Sequence, residues 1–350
     1  MISRRQRNAA YKAWETMRRR KWESRGQFSE NIKNYMTLQQ IDKVKHPELN
    51  SGKTPEKFAN GIVSLFHKTP SDIACGKFWE LRWAYGCPLD CNYCYLRGTM
   101  RGNMKPSPLK SEHVLSAIDE AFSNIKTPSI FNTGELSDSL MYPTLMEKIV
   151  DRFEEQSVHK VALLSKMGKR YIDFLLKKLR KQTICTWSVN AVSVAERWEK
   201  SAADPRERID AASLVNSVGY DTRIRFDPIF PIFEWKKHYE QIIDYLFSKF
   251  ESQRIILGTP RGLWKTIKYA KDAKIDMSWA NYFNEDSSWG KKLEFNQRKQ
   301  IYQFMFNELK MHGFAESKIT ICKETTQMLT ELNVPFKNLS CNCYGSGAYN

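Results

Sequence analysis

The chain has 350 residues, 41% of them hydrophobic and 27% charged, so it is long enough to bury a full core and too apolar for a disordered chain. It has no apolar run of the roughly eighteen residues needed to cross a bilayer. Its first residues, MISRRQRNAAYKAW, lack the apolar core and cleavage site of a secretory signal, so no membrane partner and a cytoplasmic setting are expected. Fifty-five Lys and Arg against 39 Asp and Glu leave a net charge of +16, a field suited to a polyanion such as nucleic acid.

Residues 1–28 are the most basic segment. Arg4, Arg5, Arg7, Arg18, Arg19, Arg20 and Lys21 are candidate phosphate contacts, opposed there only by Glu15 and Glu23. If the segment is helical, Tyr11, Trp14 and Met17 line one face. That face would either stack on bases or pack the helix against the main domain, leaving the charges solvated. Residues 29–76 are turn-rich and read as a connection. The expected division is a basic extension over 1–76 and a main domain over 77–350.

From Phe78 onward, short apolar runs alternate with amphipathic stretches. Strands are predicted at 78–85, 129–133, 160–165, 184–190, 223–229 and 254–259, with a late one in KITICK (318–323). Helices are predicted at 112–125, 170–182, 206–220, 238–250 and 293–312. Regular alternation of this kind predicts an α/β fold, a partial (β/α)6-type TIM barrel with a basic helical N-terminal extension and a C-terminal strand and flap. In such barrels the chemistry sits at the C-terminal ends of the strands.

Directly after the first predicted strand comes GCPLDCNYCYL (86–96), with Cys87, Cys91 and Cys94 inside eight residues. Three clustered thiols in a reducing compartment point to metal or chemistry rather than disulfides. A structural zinc site normally closes four ligands. Two readings stand: a zinc site completed by a distant ligand such as Cys341, or an iron–sulfur cluster with one iron left open. Cys75 and Cys185 stand alone in apolar surroundings and read as buried small hydrophobes.

C-x3-C-x2-C with an aromatic before the last cysteine resembles the signature of radical S-adenosylmethionine enzymes, and the chain resembles their spore photoproduct lyase-like branch over most of 78–345. The likeness continues in LLSKMGKRYIDFLL, TWSVNA and DPRERIDAASLVNSVGYDTRIRFDPIF. It implies a [4Fe–4S] cluster on Cys87, Cys91 and Cys94, with S-adenosylmethionine held by Ser165, Lys166, Ser188 and Asn190. Gly134 and Glu135 resemble the superfamily's Gly-Glu element, which bonds the cofactor's ammonium. Tyr93 and Tyr95 match the family's radical-relay tyrosines. An electron donor such as flavodoxin or ferredoxin is implied, and a pyrimidine base in DNA, or a modified pyrimidine nucleotide, as substrate.

One departure stands out. Where the lyases carry a hydrogen-donating cysteine after the second strand, IFNTGELSDSL has Glu135. A carboxylate cannot replace a thiol as hydrogen-atom donor. The expected reaction is therefore a rearrangement of a modified thymine, suited to DNA hypermodification in a virus-like genome and then to a host cytoplasm. The alternative is lesion repair with a relocated thiol, Cys341 or Cys343, which with Cys322 could instead hold a second metal. A non-catalytic, metal-stabilised nucleic-acid-binding protein is the third reading. Asp138, Arg225 and Asp227 lie at predicted strand ends, either facing the substrate or serving as buried polar anchors.

Overall fold

In the computed structural model, the structure describes residues 57–66, 69–70, 72–75 and 78–334. The basic arm and the tail thiols Cys341 and Cys343 lie outside the described residues. The frame is one nine-stranded sheet. Its strands are β1 (Lys57–Phe58), β2 (Val63–Phe66), β3 (Phe78–Leu81), β4 (Ile130–Asn132), β5 (Lys160–Ser165), β6 (Thr183–Ser188), β7 (Asp221–Phe226), β8 (Arg254–Leu257) and β9 (Ile319–Ile321), side by side in that order. β1 and β2 join antiparallel, while β3 through β9 all run parallel. β1 and β9 remain separate edges, so the curved sheet is a partial barrel.

Every strand predicted from Phe78 onward is present, the one at 160–165 with its predicted ends and the others with shifted ends. The predicted strand 78–85 breaks after Leu81, where Arg82 folds back onto Glu80 and the Trp83 indole donates to the Thr133 carbonyl at 2.9 Å. Ala84–Tyr85 then pairs with Ser107–Pro108. The segment read as a connection contributes β1 and β2, which extend the parallel sheet at its first edge.

Helices cover the outer face. They are α1 (Ser111–Asn124), α2 (Pro143–Glu154), α3 (Asp173–Lys177), α4 (Val192–Trp198), α5 (Pro205–Val218), α6 (Trp235–Lys249), α7 (Trp264–Asp272) and α8 (Phe295–Met311). Apolar residues recur at helical spacing: Val114, Ala117, Ile118 and Ala121 on α1, Met146, Ile149, Val150 and Phe153 on α2. Phe153 meets Phe131 of β4 at 5.3 Å between ring centroids, and each such buried side chain contributes about 2–3 kcal/mol. α5 starts on an Asp204 cap with Pro205 behind it and stops at Gly219, where φ is +105°.

The helix predicted over 170–182 is shorter. A 3-10 turn precedes α3, which ends at Lys177. There the buried Arg180 swings back, donating to the Phe174 carbonyl at 2.8 Å and to Asp151 at 2.7 Å. The guanidinium takes the place of the next helical turn.

Strand alternation decides what lies inside the barrel. Trp79, Phe131, Val161 and Cys185 join the main core with the helices. Their neighbours Glu80, Asn132, Thr186, Ser188, Arg223 and Arg225 turn to the concave side, above a small apolar floor of Ile130, Ala162 and Ile184. A concave face this polar is unlike a packed barrel interior. An insertion over 258–318 separates β8 from β9. It carries α7, α8 and a three-stranded sheet of Arg261–Leu263, Glu285–Ser287 and Gly290–Lys292. No helix of the described residues is long and apolar enough to cross a membrane.

Candidate active site

The cysteine loop leaves Tyr85 through Gly86, whose φ is +75° and where an added Cβ would lie 2.3 Å from the Lys105 carbonyl oxygen. Glycine is required on both counts. The Cys87 amide donates to Met104 O at 3.0 Å and the Cys94 amide to Cys91 O at 3.1 Å, while Asn92 N reaches Trp198 O at 2.9 Å. Buried Arg97 pairs with Asp90. Gly98 lets the turn Leu96–Thr99 press against α7, since a Cβ there would meet Thr266 N at 2.6 Å. The loop is thus fixed from both sides at the C-terminal end of the sheet.

Burial raises all three thiols, Cys91 to about 12. Such groups stay protonated unless a cationic centre displaces the protons. Among the described residues no three His, Cys, Asp or Glu side chains converge as they would around a single ion. Three thiols from one loop, with no fourth ligand beside them among the described residues, fit a multi-iron cluster with an open corner better than a closed zinc site. Nearby, the buried Ser137 hydroxyl has no hydrogen-bond partner among the described residues, as expected where a polar ligand would supply one.

Two groups of side chains flank the loop. In the first, Glu199 is the hub. Lys166 Nζ lies 2.6 Å from its carboxylate and 2.6 Å from the Tyr93 hydroxyl, which itself donates to Glu199. Arg208 pairs with the other oxygen at 2.6 Å, and Asn190 Nδ2 approaches at 3.3 Å. Burial alone would raise the Glu199 carboxyl, but Arg208, Lys166 and the hydrogen bonds from Lys166 and Tyr93 outweigh it and hold it well below the usual carboxylate range. The Tyr93 phenol is pushed up by burial and by Glu199, and its ring packs 5.2 Å from that of Phe230. Asn190 is further held by Tyr239 and the Pro228 carbonyl. Asp138 accepts from Ser165 Oγ at 2.7 Å, from Lys166 N at 2.8 Å and from Leu140 N at 2.9 Å. It is a buried anchor for the strand end, its carboxyl raised by burial.

The second group gathers Tyr95, Glu135 and Lys323. The Tyr95 hydroxyl donates to the Glu135 carbonyl and lies 3.4 Å from its carboxylate, and Lys323 Nζ is 3.8 Å from the same carboxylate. Arg225 and Arg261 share Asp227, the latter at 3.0 Å to both oxygens, and Arg225 also reaches Cys322 Sγ at 3.2 Å. Against the burial that would raise it, Arg261 and Arg225 hold the Asp227 carboxyl down. A small pocket opens beside this group, lined among others by Thr259, Arg261, Arg298, Lys323 and Glu324.

The structure therefore brings Tyr93, Lys166 and Asn190 together, with Ser165 tied in through Asp138. It sets Tyr95 and Glu135 in a separate group. Ser188 is buried, with its hydroxyl 3.4 Å from the Asp227 carbonyl. Gly134 packs against Leu164, where a Cβ would fall 2.6 Å away. Cys185 is buried and Cys75 half-buried. Sequence reasoning missed Glu199, Arg208, Ser137 and Lys323. Nothing in AERWEK, PRERID or KITICK distinguishes Glu199, Arg208 and Lys323 from solvated surface charges, and nothing in ELSDSL distinguishes Ser137 from a solvated hydroxyl.

Three comparisons bear on this arrangement. A family model described as spore photoproduct lyase matches residues 76–259. A spore photoproduct lyase of Clostridium acetobutylicum is 24% identical over 172 residues, which make up 47% of this chain and 50% of that protein. One of Bacillus subtilis is 26% identical over 176 residues, 48% and 50% of the two chains. The chain thus spans about half the length of the curated relatives it matches. Among solved structures, a spore photoproduct lyase complexed with dinucleoside spore photoproduct superposes with a TM-score of 0.59 at 16% identity, covering 69% of this chain and 75% of that one. That likeness is one of fold.

Proposed function

This chain belongs to the spore photoproduct lyase family, and on that premise we propose that it is a radical S-adenosylmethionine enzyme rearranging a modified thymine in DNA. The observation that carries the reading is the placement of Glu135, bonded by Tyr95 one residue beyond Cys94. A carboxylate stands where the family resemblance leads one to expect a thiol.

Cys87, Cys91 and Cys94 would hold the [4Fe–4S] cluster, and Lys166, Ser188 and Asn190 the amino-acid end of S-adenosylmethionine. Once bound, the two groups would supply radical chemistry able to abstract hydrogen from a substrate C–H. The chain's own part is positional. Glu199 orients Lys166, Asn190 and the Tyr93 hydroxyl, and its pairing with Arg208 keeps that oriented charge out of water. Asp138 fixes the backbone of Lys166. With a carboxylate at 135, the chain offers no thiol at that place to give a hydrogen atom to the product, and the reading is therefore a net isomerisation.

A second reading rests on Cys322, whose thiol stands at the barrel mouth within 3.2 Å of Arg225. There a relocated thiol would serve lesion repair in place of the tail cysteines. S-adenosylmethionine deuterated at C5′ separates the two. Recovery of the label in product with cofactor regenerated supports rearrangement, while solvent hydrogen entering product through a thiol supports repair. The substrate itself is sought by mass spectrometry of nucleosides from DNA made with and without the protein. An anaerobically reconstituted protein that is colourless and never forms 5′-deoxyadenosine would remove both readings.

A further inference from the structure

Lys323 is held in an unusual way. Its φ is +52°, a region that disfavours any residue with a Cβ. Its ammonium lies 5.2 and 5.8 Å from the ring centroids of Phe66 and Phe78, which stack on each other at 4.8 Å. A strained lysine fixed over two rings has its side-chain direction dictated. That direction leads to Glu135, so that a residue following the end of β9 meets one following the end of β4. Yet the pair stands at 3.8 Å, well beyond a direct charged hydrogen bond, and both side chains keep about a fifth of their surface exposed, 19% and 18%. Lys323 also lines the small pocket beside Arg261 and Glu324.

A second observation comes from the concave face. Asn132 is 6% exposed, and its side-chain amide nitrogen has no hydrogen-bond partner among the described residues. It pairs in register with Glu80, on the same face. A buried donor left without an acceptor costs about 1–3 kcal/mol unless a ligand supplies one.

We propose that Glu135 and Lys323, with the Asn132 amide at the end of the strand that leads to Glu135, form a recognition site for the imide edge of an extruded pyrimidine. The imide presents an N3–H donor between two carbonyl acceptors. Glu135 accepts from N3–H, Lys323 donates to one flanking carbonyl, and the Asn132 amide is the spare donor for the other. Thymine and uracil derivatives fit this order, while cytosine lacks the N3–H and would set a lone pair against the Glu135 carboxylate. The inference rests on the pyrimidine reading above and deepens it by naming the edge that is read.

The test is equilibrium binding of the anaerobically reconstituted full chain to single-stranded oligothymidylate, the same oligomer methylated at N3, and oligodeoxycytidylate, followed by fluorescence anisotropy. The unmodified oligomer should bind at least about tenfold tighter than the other two. Glu135→Gln and Lys323→Met should each cut that preference to about twofold or less, while the affinity common to all three oligomers remains. Equal binding of the three, binding of none, or a preference that survives both substitutions overturns the proposal. Formation of 5′-deoxyadenosine by the unaltered protein tests the parent reading separately.

Discussion

Glu199 and Arg208 meet carboxylate to guanidinium at 2.6 Å with both side chains shut off from solvent. With Lys166 on the other oxygen, two cations converge on one carboxylate. Removing one member of such a buried set leaves charge uncompensated, so Glu199→Gln should cost about 3–5 kcal/mol. The midpoint of urea unfolding should fall while its slope is unchanged. The folded carboxyl titrates below the ordinary Glu value of about 4.3. Its contribution is therefore complete above that pH and fades as pH falls toward the folded value. A variant as stable as the parent at pH 7 would mean the hub is solvated.

His159 should govern stability at mildly acidic pH. Its Nε2 lies 3.1 Å from the Ile125 carbonyl and its ring stacks on Phe122 at 5.3 Å. Burial lowers its pKa to about 4, against roughly 6.5 in an unfolded chain. The unfolded state then binds the proton first, so stability is full above about pH 6.5 and declines as pH falls toward 4. His159→Gln should flatten that decline in denaturation curves taken between pH 7 and 4. An undiminished slope would shift the effect to other groups.

These residues also mark what a linear reading can reach. The parallel strands were legible because KVALLS and ICTWSVN are short, apolar and bounded by turns, and the cysteine loop because its three thiols fall within eight residues. The α2 helix went unread although Pro143 opens it and its apolar face is regular. β1 and β2 went unread because four residues or fewer among turn formers carry little periodicity. Glu199, Arg208 and Lys323 resemble surface charges until the fold closes distances of up to 188 residues between Glu135 and Lys323, from position 323 minus 135. Spacing finds ligands that share a loop and misses polar groups that meet only across the sheet.

Gly86→Ala should damage the cluster loop without touching a thiol. The substitution forces a side chain into the left-handed region and against the Lys105 backbone, which cannot retreat as a flexible side chain would. A cost of about 1–3 kcal/mol is expected. Cys87 follows directly, and the hydrogen bond its amide N–H donates to the Met104 carbonyl would be displaced. Iron bound per chain after anaerobic reconstitution, measured with the broad visible absorbance, should fall well below that of the parent. Full loading would show that the loop tolerates a different exit.

The basic arm offers a thermodynamic test. Residues 1–25 hold Arg4, Arg5, Arg7, Arg18, Arg19, Arg20 and Lys21 against two glutamates. Each phosphate contact made on duplex DNA releases condensed counterions and adds about 0.9 to the slope of log affinity against log salt. Deleting 1–25 should therefore weaken DNA binding most at low salt and reduce that slope by several such steps. If the arm only packs its aromatic stripe on the main domain, the deletion would lower thermal stability and leave the slope as it was. Binding isotherms across a salt series, set beside melting curves of the same two proteins, distinguish a phosphate grip from a structural strap.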